Sequence, residues 1–173
     1  MTSTTLNMSM MKNSPQLLSY DIAPGVRAFS TMRHGGVGEG AYCSFNINSY
    51  CGDSQENIAA NKASLAETLG IEPTKILLPH QVHGADFCII APDFMALSEE
   101  ERAMVIEGVD GIFTSMSGVC IGVSTADCIP IIIYDPEHHA ACAIHAGWRG
   151  TVKRIASKAV AEMQTTYHSN AEK

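Results

Sequence analysis

Three apolar runs, VCIGV (119–123), IPIIIY (129–134) and AACAIH (140–145), follow one another along the chain and decide its fold class. Short polar breaks separate them: STAD (124–127) after the first run and DPE (135–137) after the second. Apolar runs of this length between turn residues are typical of strands that are covered on both faces. The pattern therefore predicts three buried β-strands in succession.

Helical patterns lie on either side of these runs. Residues 54–69 predict a helix with Ser54 as its N-cap and Gly70 as its stop. Residues 98–106 predict a second helix, which opens with the capping box SEEE. A third helix begins near Thr151. Its apolar stripe consists of Val152, Ile155, Ala156, Ala159, Val160 and Met163.

Shorter strands complete the predicted architecture. They are expected at residues 26–30, 75–78 and 87–90. The combination predicts an α/β (α+β) fold, a layered sandwich of mixed β-sheet with helices packed outside. We expect residues 1–14 to form a flexible tail and residues 15–173 to form a single domain.

Composition excludes several classes of function. The chain has 173 residues, of which 46% are hydrophobic, and a formal net charge of −7. An acidic chain lacks the positive field that neutralises nucleic-acid phosphates, so we expect no nucleic-acid partner. The longest apolar run, residues 128–134, is far too short to span a membrane. An anionic ligand would have to be held by a few well-placed cations.

The six cysteines suggest a reducing compartment. No pair has CxxC spacing, and no secretory signal is visible. Four lie in apolar runs, as reduced and buried cysteines do: Cys88, Cys120, Cys128 and Cys142. We therefore expect a reduced, cytoplasmic protein.

Three polar segments interrupt the apolar surroundings at the ends of predicted strands: PHQVHG (79–84), TADC (125–128) and IHAGWRG (144–150). Together they offer imidazole, thiolate and imidazole groups, which suit zinc. Three protein ligands and one open position are typical of a catalytic zinc ion. Taken singly, each histidine or cysteine is more often an ordinary core residue. A metal-free cysteine hydrolase, with Cys128 as nucleophile and His145 or His83 as base, stays open.

The segment AGWRG favours an anion site. Gly147 and Gly150 allow close backbone approach, and Arg149 is expected just before the N-terminus of a helix. In the alternative, Trp148 is a core anchor and Arg149 pairs with a carboxylate. The glycine-rich stretch RHGGVGEG (33–40) is a second candidate for holding an anion, but it matches no phosphate-loop pattern, and a flexible turn is the favoured interpretation.

Five longer motifs occur in a fixed order along the chain: FSTMRHGGV, HQVHG, DGIFTS, STADCIP and AIHAGWRGT. Over residues 26–160 the chain resembles the multicopper polyphenol-oxidase-like family, also called the laccase-domain or purine nucleoside phosphorylase family of conserved bacterial proteins. The resemblance implies a zinc ion held by His83, Cys128 and His145. It excludes His80, Cys120 and Cys142 as first choices.

The resemblance also implies an activity and further site residues. Family members cleave adenosine, inosine, guanosine and methylthioadenosine with phosphate and deaminate adenosine. Arg33 and Arg149 are the candidate phosphate ligands, and Asn46 is a candidate for binding sugar or base. His80 or Asp127 is expected to move protons or to orient a metal ligand.

Other family properties leave alternatives open. The family's chain normally continues past the helix after HAGWRG, so we expect the C-terminal part of the domain to be lacking here. Uncovered sheet edges would then favour a homo-oligomer. The alternatives to a nucleoside enzyme are an amide-editing hydrolase of peptidoglycan precursors, a copper polyphenol oxidase and a non-catalytic metal-binding fragment. Multicopper catalysis requires many more histidines than the seven present.

Overall fold

The computed structural model describes residues 14–172, so the tail expected at residues 1–14 lies, apart from Ser14, outside the described residues. The chain divides into two compact units, one ending at Lys75 and the other beginning at Ile76. Both units combine strands and helices, and the second contains a mixed sheet. The expected α/β class is confirmed.

The first unit consists of a hairpin, a helix and two short 3₁₀ turns. Strands β1 (Leu17–Tyr20) and β2 (Ala28–Thr31) pair antiparallel. Helix α1 (Gln55–Leu69) follows Ser54 and ends at Gly70, whose φ of 72° is a left-handed conformation that suits glycine. The 3₁₀ turns span Gly40–Tyr42 and Pro73–Lys75. Its buried apolar side chains include Ala28, Phe45, Ile58, Leu65 and Ala66.

Asn61, a buried residue of α1, holds the glycine-rich stretch in place. Its Oδ1 accepts a hydrogen bond from the backbone N–H of Val37 at 2.9 Å, and its Nδ2 donates to the carbonyl of Asn46 at 2.9 Å. At Gly36, a Cβ would clash with the carbonyl oxygen of Ser44. The stretch at 33–40 is therefore packed against its neighbours.

The second unit contains the longer strands. A two-stranded parallel sheet joins β3 (Ile76–Leu77) to β6 (Cys120–Ile121). The other sheet of this unit has four strands. Its strands are β4 (Phe87–Ile90), β5 (Gly111–Thr114), β7 (Ile129–Asp135) and β8 (Ala140–Ala146). β4 and β5 run parallel, whereas β8 is antiparallel to both β5 and β7.

Strand β5 divides the core of this unit into two layers. Successive side chains of a strand point to opposite faces, so Ile112 and Phe113, both fully buried, enter different clusters. Phe113 packs with Ile144, Ile155 and other residues on one face. Ile112 packs with Leu77, Ile90, Phe94, Ile106 and Val109 on the other. Full burial of each large side chain contributes about 1.5–3 kcal/mol to folding.

The expected coverage on both faces is wrong for two of the three apolar runs. Residues 119–123 are all half-buried and contain only the two-residue strand β6. The run at 129–134 is not covered on both faces, since Ile129 is 64% exposed and Ile132 is 44% exposed. The reason is its place in the sheet: in the part of the chain that the structure describes, β7 is an edge strand paired with β8. The run 140–145, within the interior strand β8, is buried except for a partly exposed Ala141.

Helices of the second unit are α2 (Pro92–Ala96), α3 (Glu99–Val105), α4 (Trp148–Val152) and α5 (Ile155–Tyr167). The capping box of α3 is confirmed, because Ser98 Oγ accepts from the Glu101 N–H and Glu101 Oε2 accepts from the Ser98 N–H at 2.8 Å. The Ser98 backbone N–H, and then the Ser98 hydroxyl, lower the pKa of the Glu101 carboxyl. No helix among the described residues is long and apolar enough to cross a membrane.

The expected third helix is interrupted. Arg154 adopts a left-handed φ of 59° between α4 and α5. Val152 therefore lies on a separate short helix and is 76% exposed, although the stripe pattern placed it in the core. Ile155, Ala159 and Met163 of the predicted stripe are buried against the sheet.

All six cysteines lie among the described residues and are reduced, with no disulfide bond between them. Cys142 is fully buried, and loss of hydration raises its pKa strongly. The expectation of burial holds less well for Cys88, Cys120 and Cys128, which are half-buried. Burial also raises the pKa of Cys88.

Candidate metal centre

The loop after β3, the start of β7 and the end of β8 bring three candidate ligands together. One donor atom each from His83, Cys128 and His145 lies within 4.8 Å of the other two. The imidazole rings of His83 and His145 meet edge to face, with centroids 4.8 Å apart and planes at 81°. Among the described residues, this is the one such group of histidine, cysteine or acidic side chains.

Sheet register explains the meeting of Cys128 and His145. In the β7–β8 ladder, Pro130 pairs with His145 and Ile129 pairs with Ala146. Cys128 directly precedes the first pair of this ladder. It therefore lies beside the backbone that follows His145. The polar break before the second apolar run thus places a thiol at the end of the sheet that carries His145.

Burial differs among the three ligands in a way that suits an accessible centre. His145 is buried at 3% exposure, Cys128 is half-buried and His83 is exposed. The group is therefore anchored in the core on the side of His145 and open to solvent on the side of His83. An open side is what a metal needs in order to accept a ligand from solution.

His83 has an unusual backbone. Its φ is +61°, in the left-handed region that costs a non-glycine residue roughly 1–2 kcal/mol. Its backbone N–H donates to Asp110 Oδ1 at 3.0 Å. The surrounding structure holds this strained residue in place, which is common where a side chain is aimed at a ligand.

Gly147 leaves room for the three ligands. A Cβ at this position would lie 2.9 Å from His83 Cδ2, 3.3 Å from Cys128 Sγ and 3.6 Å from His145 Cε1. At Gly150, a Cβ would lie 2.8 Å from the carbonyl oxygen of Gly84. The close backbone approach expected for Gly147 and Gly150 is confirmed.

Two imidazoles and one thiol fit a zinc ion chemically and sterically. A tetrahedral zinc ion with Zn–N bonds of about 2.0 Å and a Zn–S bond of about 2.3 Å holds its donors about 3.3 to 3.6 Å apart. The observed upper limit of 4.8 Å is about 1 Å longer, so metal binding would draw the three side chains closer together. The same donors also suit copper.

Asp110 was not among the predicted site residues, yet it contacts two of the three ligands. It is fully buried, and its Oδ1 lies 2.7 Å from Nδ1 of His145. Its carboxylate also accepts hydrogen bonds from the N–H groups of Val82, His83 and Gly84. The sequence carries a signal for it: an acidic residue directly before the buried strand GIFT needs internal hydrogen-bond partners.

The two candidate proton carriers lie outside the group of three donors. His80 is half-exposed, and its Nδ1 lies 2.5 Å from Glu107 Oε1. Backbone hydrogen bonds from His80 N–H to the Ile106 carbonyl and from Gly108 N–H to the His80 carbonyl fix this segment. Asp127 is exposed and directly precedes Cys128.

Arg149 lies inside helix α4 rather than before it, because Gly147 is the N-cap and the helix begins at Trp148. Its guanidinium lies 4.5 Å from the centroid of the Trp148 ring. Trp148 is 67% exposed, so the interpretation of this residue as a core anchor is wrong. Both side chains face solvent, and anion binding by Arg149 stays a prediction.

Arg33 and Asn46 lie in the first unit. The Nε and Nη2 of Arg33 donate to the carbonyl of Cys43 at 3.2 and 2.9 Å. The Nδ2 of Asn46 donates to Asp53 Oδ2 at 2.9 Å. Their expected contacts with phosphate, sugar or base stay predictions.

Comparison with known proteins identifies relatives of this chain. Residues 27–173 match the family described as multi-copper polyphenol oxidoreductase laccase. A purine nucleoside phosphorylase of Bacteroides thetaiotaomicron is 38% identical over 144 residues, which are 83% of this chain and 53% of the relative. Adenosine deaminase RL5, from an unknown prokaryotic organism, is 40% identical over 139 residues, which are 80% of this chain and 53% of the relative.

A solved structure shows the same fold. The crystal structure of YlmD from Geobacillus stearothermophilus superposes with a TM-score of 0.77 at 34% identity, covering 84% of this chain and 55% of YlmD. The chain thus spans about half the length of the relatives it matches. Since the family model covers most of the chain, this protein belongs to the multi-copper polyphenol oxidoreductase laccase family.

Proposed function

We propose that this chain carries the metal centre of a zinc-dependent purine nucleoside phosphorylase that also deaminates adenosine. The observation that carries the proposal is the convergence of His83, Cys128 and His145 within 4.8 Å. Relatives named purine nucleoside phosphorylase and adenosine deaminase, at 38% and 40% identity, support the substrate class. The proposed substrates are adenosine, inosine, guanosine or methylthioadenosine, with phosphate as the second substrate of cleavage.

A zinc ion at this centre would supply a Lewis acid with an open position, at which water becomes a stronger acid. The chain's own residues would then position the ligands and substrate. The contact of its Nδ1 with the Asp110 carboxylate would fix the orientation of His145, and Cys128 would supply the thiolate. Gly147 keeps the space beside the three donors free of a side chain.

Phosphorolysis breaks the C–N glycosidic bond and forms a C–O bond between the anomeric carbon and phosphate, with the base leaving as it gains a proton. The proposed phosphate ligands are Arg149 and Arg33, since guanidinium groups bind phosphate through two parallel hydrogen bonds. Asn46 is proposed to bind sugar or base.

Proton movement is proposed for His80 or Asp127. The contact between Nδ1 of His80 and Glu107 Oε1 orients the imidazole, which is proposed to exchange a proton with a ligand. Deamination of adenosine consumes water, releases ammonia and gives inosine. The same proton carriers would serve the leaving ammonia.

Copper oxidation of polyphenols is the second candidate, and the description of the matched family favours it. A multicopper oxidase needs several copper sites, whereas the described residues bring together one group of three donors. Measurement of bound metal in protein purified without added metal separates the two, because one zinc per chain supports the nucleoside enzyme and copper supports the oxidase.

The decisive assay incubates purified chain with adenosine and phosphate, with and without a chelator, and measures adenine, inosine, hypoxanthine and ribose 1-phosphate. We expect products that disappear with the chelator and in Cys128→Ala, while Cys43→Ala, an exposed cysteine of the other unit, retains activity. Product without metal would overturn zinc dependence and favour a metal-free cysteine hydrolase. Bound zinc without product from nucleosides would favour an amide-editing hydrolase or a non-catalytic metal-binding fragment.

A further inference from the structure

Asp110 joins the segments of two metal ligands through one carboxylate. Its Oδ1 lies 2.7 Å from His145 Nδ1 and accepts the backbone N–H of His83 at 3.0 Å. Its Oδ2 accepts the N–H groups of Val82 at 3.2 Å and of Gly84 at 2.6 Å. Asp110 is completely buried, so water does not compete for these bonds.

This contact selects the tautomer of His145. An ionised carboxylate can only accept, so the proton of the imidazole lies on Nδ1 and the lone pair lies on Nε2. Nε2 is then the atom that is free to bind a metal. The same carboxylate holds the N–H of the strained residue His83, whose φ is +61°.

We propose that Asp110 is a positioning residue of the metal centre, which aligns His145 and the His83 loop for metal binding through its carboxylate. The inference rests on the metal centre of the proposed function. The buried carboxylate of Asp110 would then contribute to metal affinity as well as to folding. Residues that orient metal ligands in this way typically change metal affinity by about 10–100-fold when they are substituted.

Backbone hydrogen bonds fix Asp110 independently of its carboxylate. Its N–H donates to the Asp86 carbonyl at 2.9 Å, and its carbonyl accepts the His145 N–H at 2.7 Å. Asp110→Asn keeps the size of the side chain and one acceptor oxygen. The amide nitrogen cannot accept from backbone N–H groups, so the loop loses part of its support while the strand pairing persists.

Zinc affinity distinguishes a positioning role from a purely structural one. Competition with a chromogenic chelator would measure the zinc dissociation constants of the wild-type chain, of Asp110→Asn and of Thr114→Val. Thr114 is a matched control, because it is a buried polar residue of β5 whose hydroxyl donates to the Ile90 carbonyl at 2.9 Å. We expect affinity about 10–100-fold weaker in Asp110→Asn and unchanged in Thr114→Val.

A cobalt complex gives a second signal besides affinity. In Asp110→Asn, we expect the thiolate-to-cobalt absorption to persist, because Cys128 still binds, while the ligand-field bands change as His145 loses its orientation. Equal zinc affinity in the wild-type chain and Asp110→Asn would overturn the inference while leaving the metal centre intact. A wild-type chain that binds neither zinc nor cobalt would overturn the proposed metal centre and this inference with it.

A measurement on the wild-type chain covers the case in which Asp110→Asn fails to fold. Nitrogen-15 spectra of the histidine rings in the zinc-loaded chain report which ring nitrogen carries a proton. We expect His145 to be protonated at Nδ1 and metal-bound at Nε2. Metal bound at Nδ1 of His145 would contradict the assignment, since that atom would then be unable to donate to Asp110.

Discussion

The side-chain amide of Gln81 makes two hydrogen bonds to the backbone of Ser124, one to its carbonyl and one from its N–H. Its Nε2 donates to the Ser124 carbonyl at 2.7 Å, and its Oε1 accepts the Ser124 N–H at 2.7 Å. Gln81 lies two residues before His83, and Ser124 lies four residues before Cys128. The pair therefore ties together the loops that carry His83 and Cys128, the exposed and the half-buried candidate metal ligands.

Replacing Gln81 tests this tie. Gln81→Leu removes both hydrogen bonds, so the carbonyl and the N–H of Ser124 each lose their Gln81 partner. We therefore expect the free energy of unfolding to fall by about 1–3 kcal/mol. We also expect zinc affinity to fall several-fold, because the two ligand loops move more independently. Urea unfolding and chelator competition measure the two effects. Gln55→Leu is the control, since Gln55 makes one long bond of 3.5 Å in the other unit and should change neither quantity.

Hydrophobic periodicity, together with capping residues and glycines, predicts most of the helices and strands. The helix at 54–69, the strand at 87–90 and the capping box at 98–101 correspond closely to observed elements because local hydrogen bonding defines them. Exposure of Ile129 and Val152 was missed for a different reason. An apolar pattern shows that a residue suits burial, whereas the neighbours that would bury it depend on the whole fold.

The candidate metal ligands illustrate the same limit. Residue types and strand ends point to imidazole and thiol groups, but their meeting depends on the β7–β8 register, which places Cys128 beside the backbone after His145. Asp110 escaped prediction because its role comes from tertiary hydrogen bonds to residues 26 to 35 positions away in the chain. Its place directly before GIFT marks Asp110 as an acid that needs partners, but no local spacing shows which residues those partners are.

Thiol alkylation tests the assignment of Cys128. In metal-free chain, we expect iodoacetamide to modify the exposed Cys43 and Cys51 together with Cys128, and zinc to protect Cys128 alone. Cys142 should stay unmodified in either state, because it is buried and the loss of hydration raises its pKa. Peptide mass spectrometry measures each site. Equal modification of Cys128 with and without zinc would contradict metal binding there and support a free nucleophile.

Strain at His83 predicts opposite effects on stability and on metal binding. His83→Gly removes the ligand but relieves the left-handed backbone, so we expect the metal-free variant to be more stable than His83→Ala by about 1 kcal/mol. Both variants should lose zinc affinity to the same extent. Thermal unfolding of the metal-free proteins and chelator competition separate the two effects. If the glycine and alanine variants unfold at the same temperature, the backbone at 83 is not strained in solution.

The lowered pKa of Asp135, the last residue of β7, predicts that the stability of the fold depends on pH. The nearby Ser169 hydroxyl, then His138 Nδ1 at 2.7 Å and the N–H groups of Glu137 and His138, hold the pKa of Asp135 well below its usual range. Because the folded pKa is depressed, this contribution is fully present above about pH 4 and is lost as the pH falls further. We expect Asp135→Asn to destabilise the chain at neutral pH.

The difference between Asp135→Asn and wild type should shrink in strong acid, where the wild-type carboxyl is itself protonated. Urea unfolding at neutral pH and at low pH measures this change. Asp93→Asn is a matched control, because Asp93 is an exposed acidic residue whose Oδ1 accepts the adjacent Phe94 N–H at 2.9 Å. A destabilisation by Asp135→Asn that is the same at both pH values would show that packing, and not charge, is responsible.

Gly147 provides the sharpest steric test of the metal centre. A methyl group there would lie 2.9 Å from His83 Cδ2 and 3.3 Å from Cys128 Sγ, so Gly147→Ala must push the ligands apart. Its φ of −71° is ordinary for any residue, and the helix α4 that it caps should persist. We expect at least a tenfold loss of zinc affinity, about 1.4 kcal/mol, with little change in unfolding temperature. Gly122→Ala is the control, because a Cβ at Gly122 meets nothing within 4 Å. Wild-type zinc affinity in Gly147→Ala would mean that the metal does not bind between these three side chains.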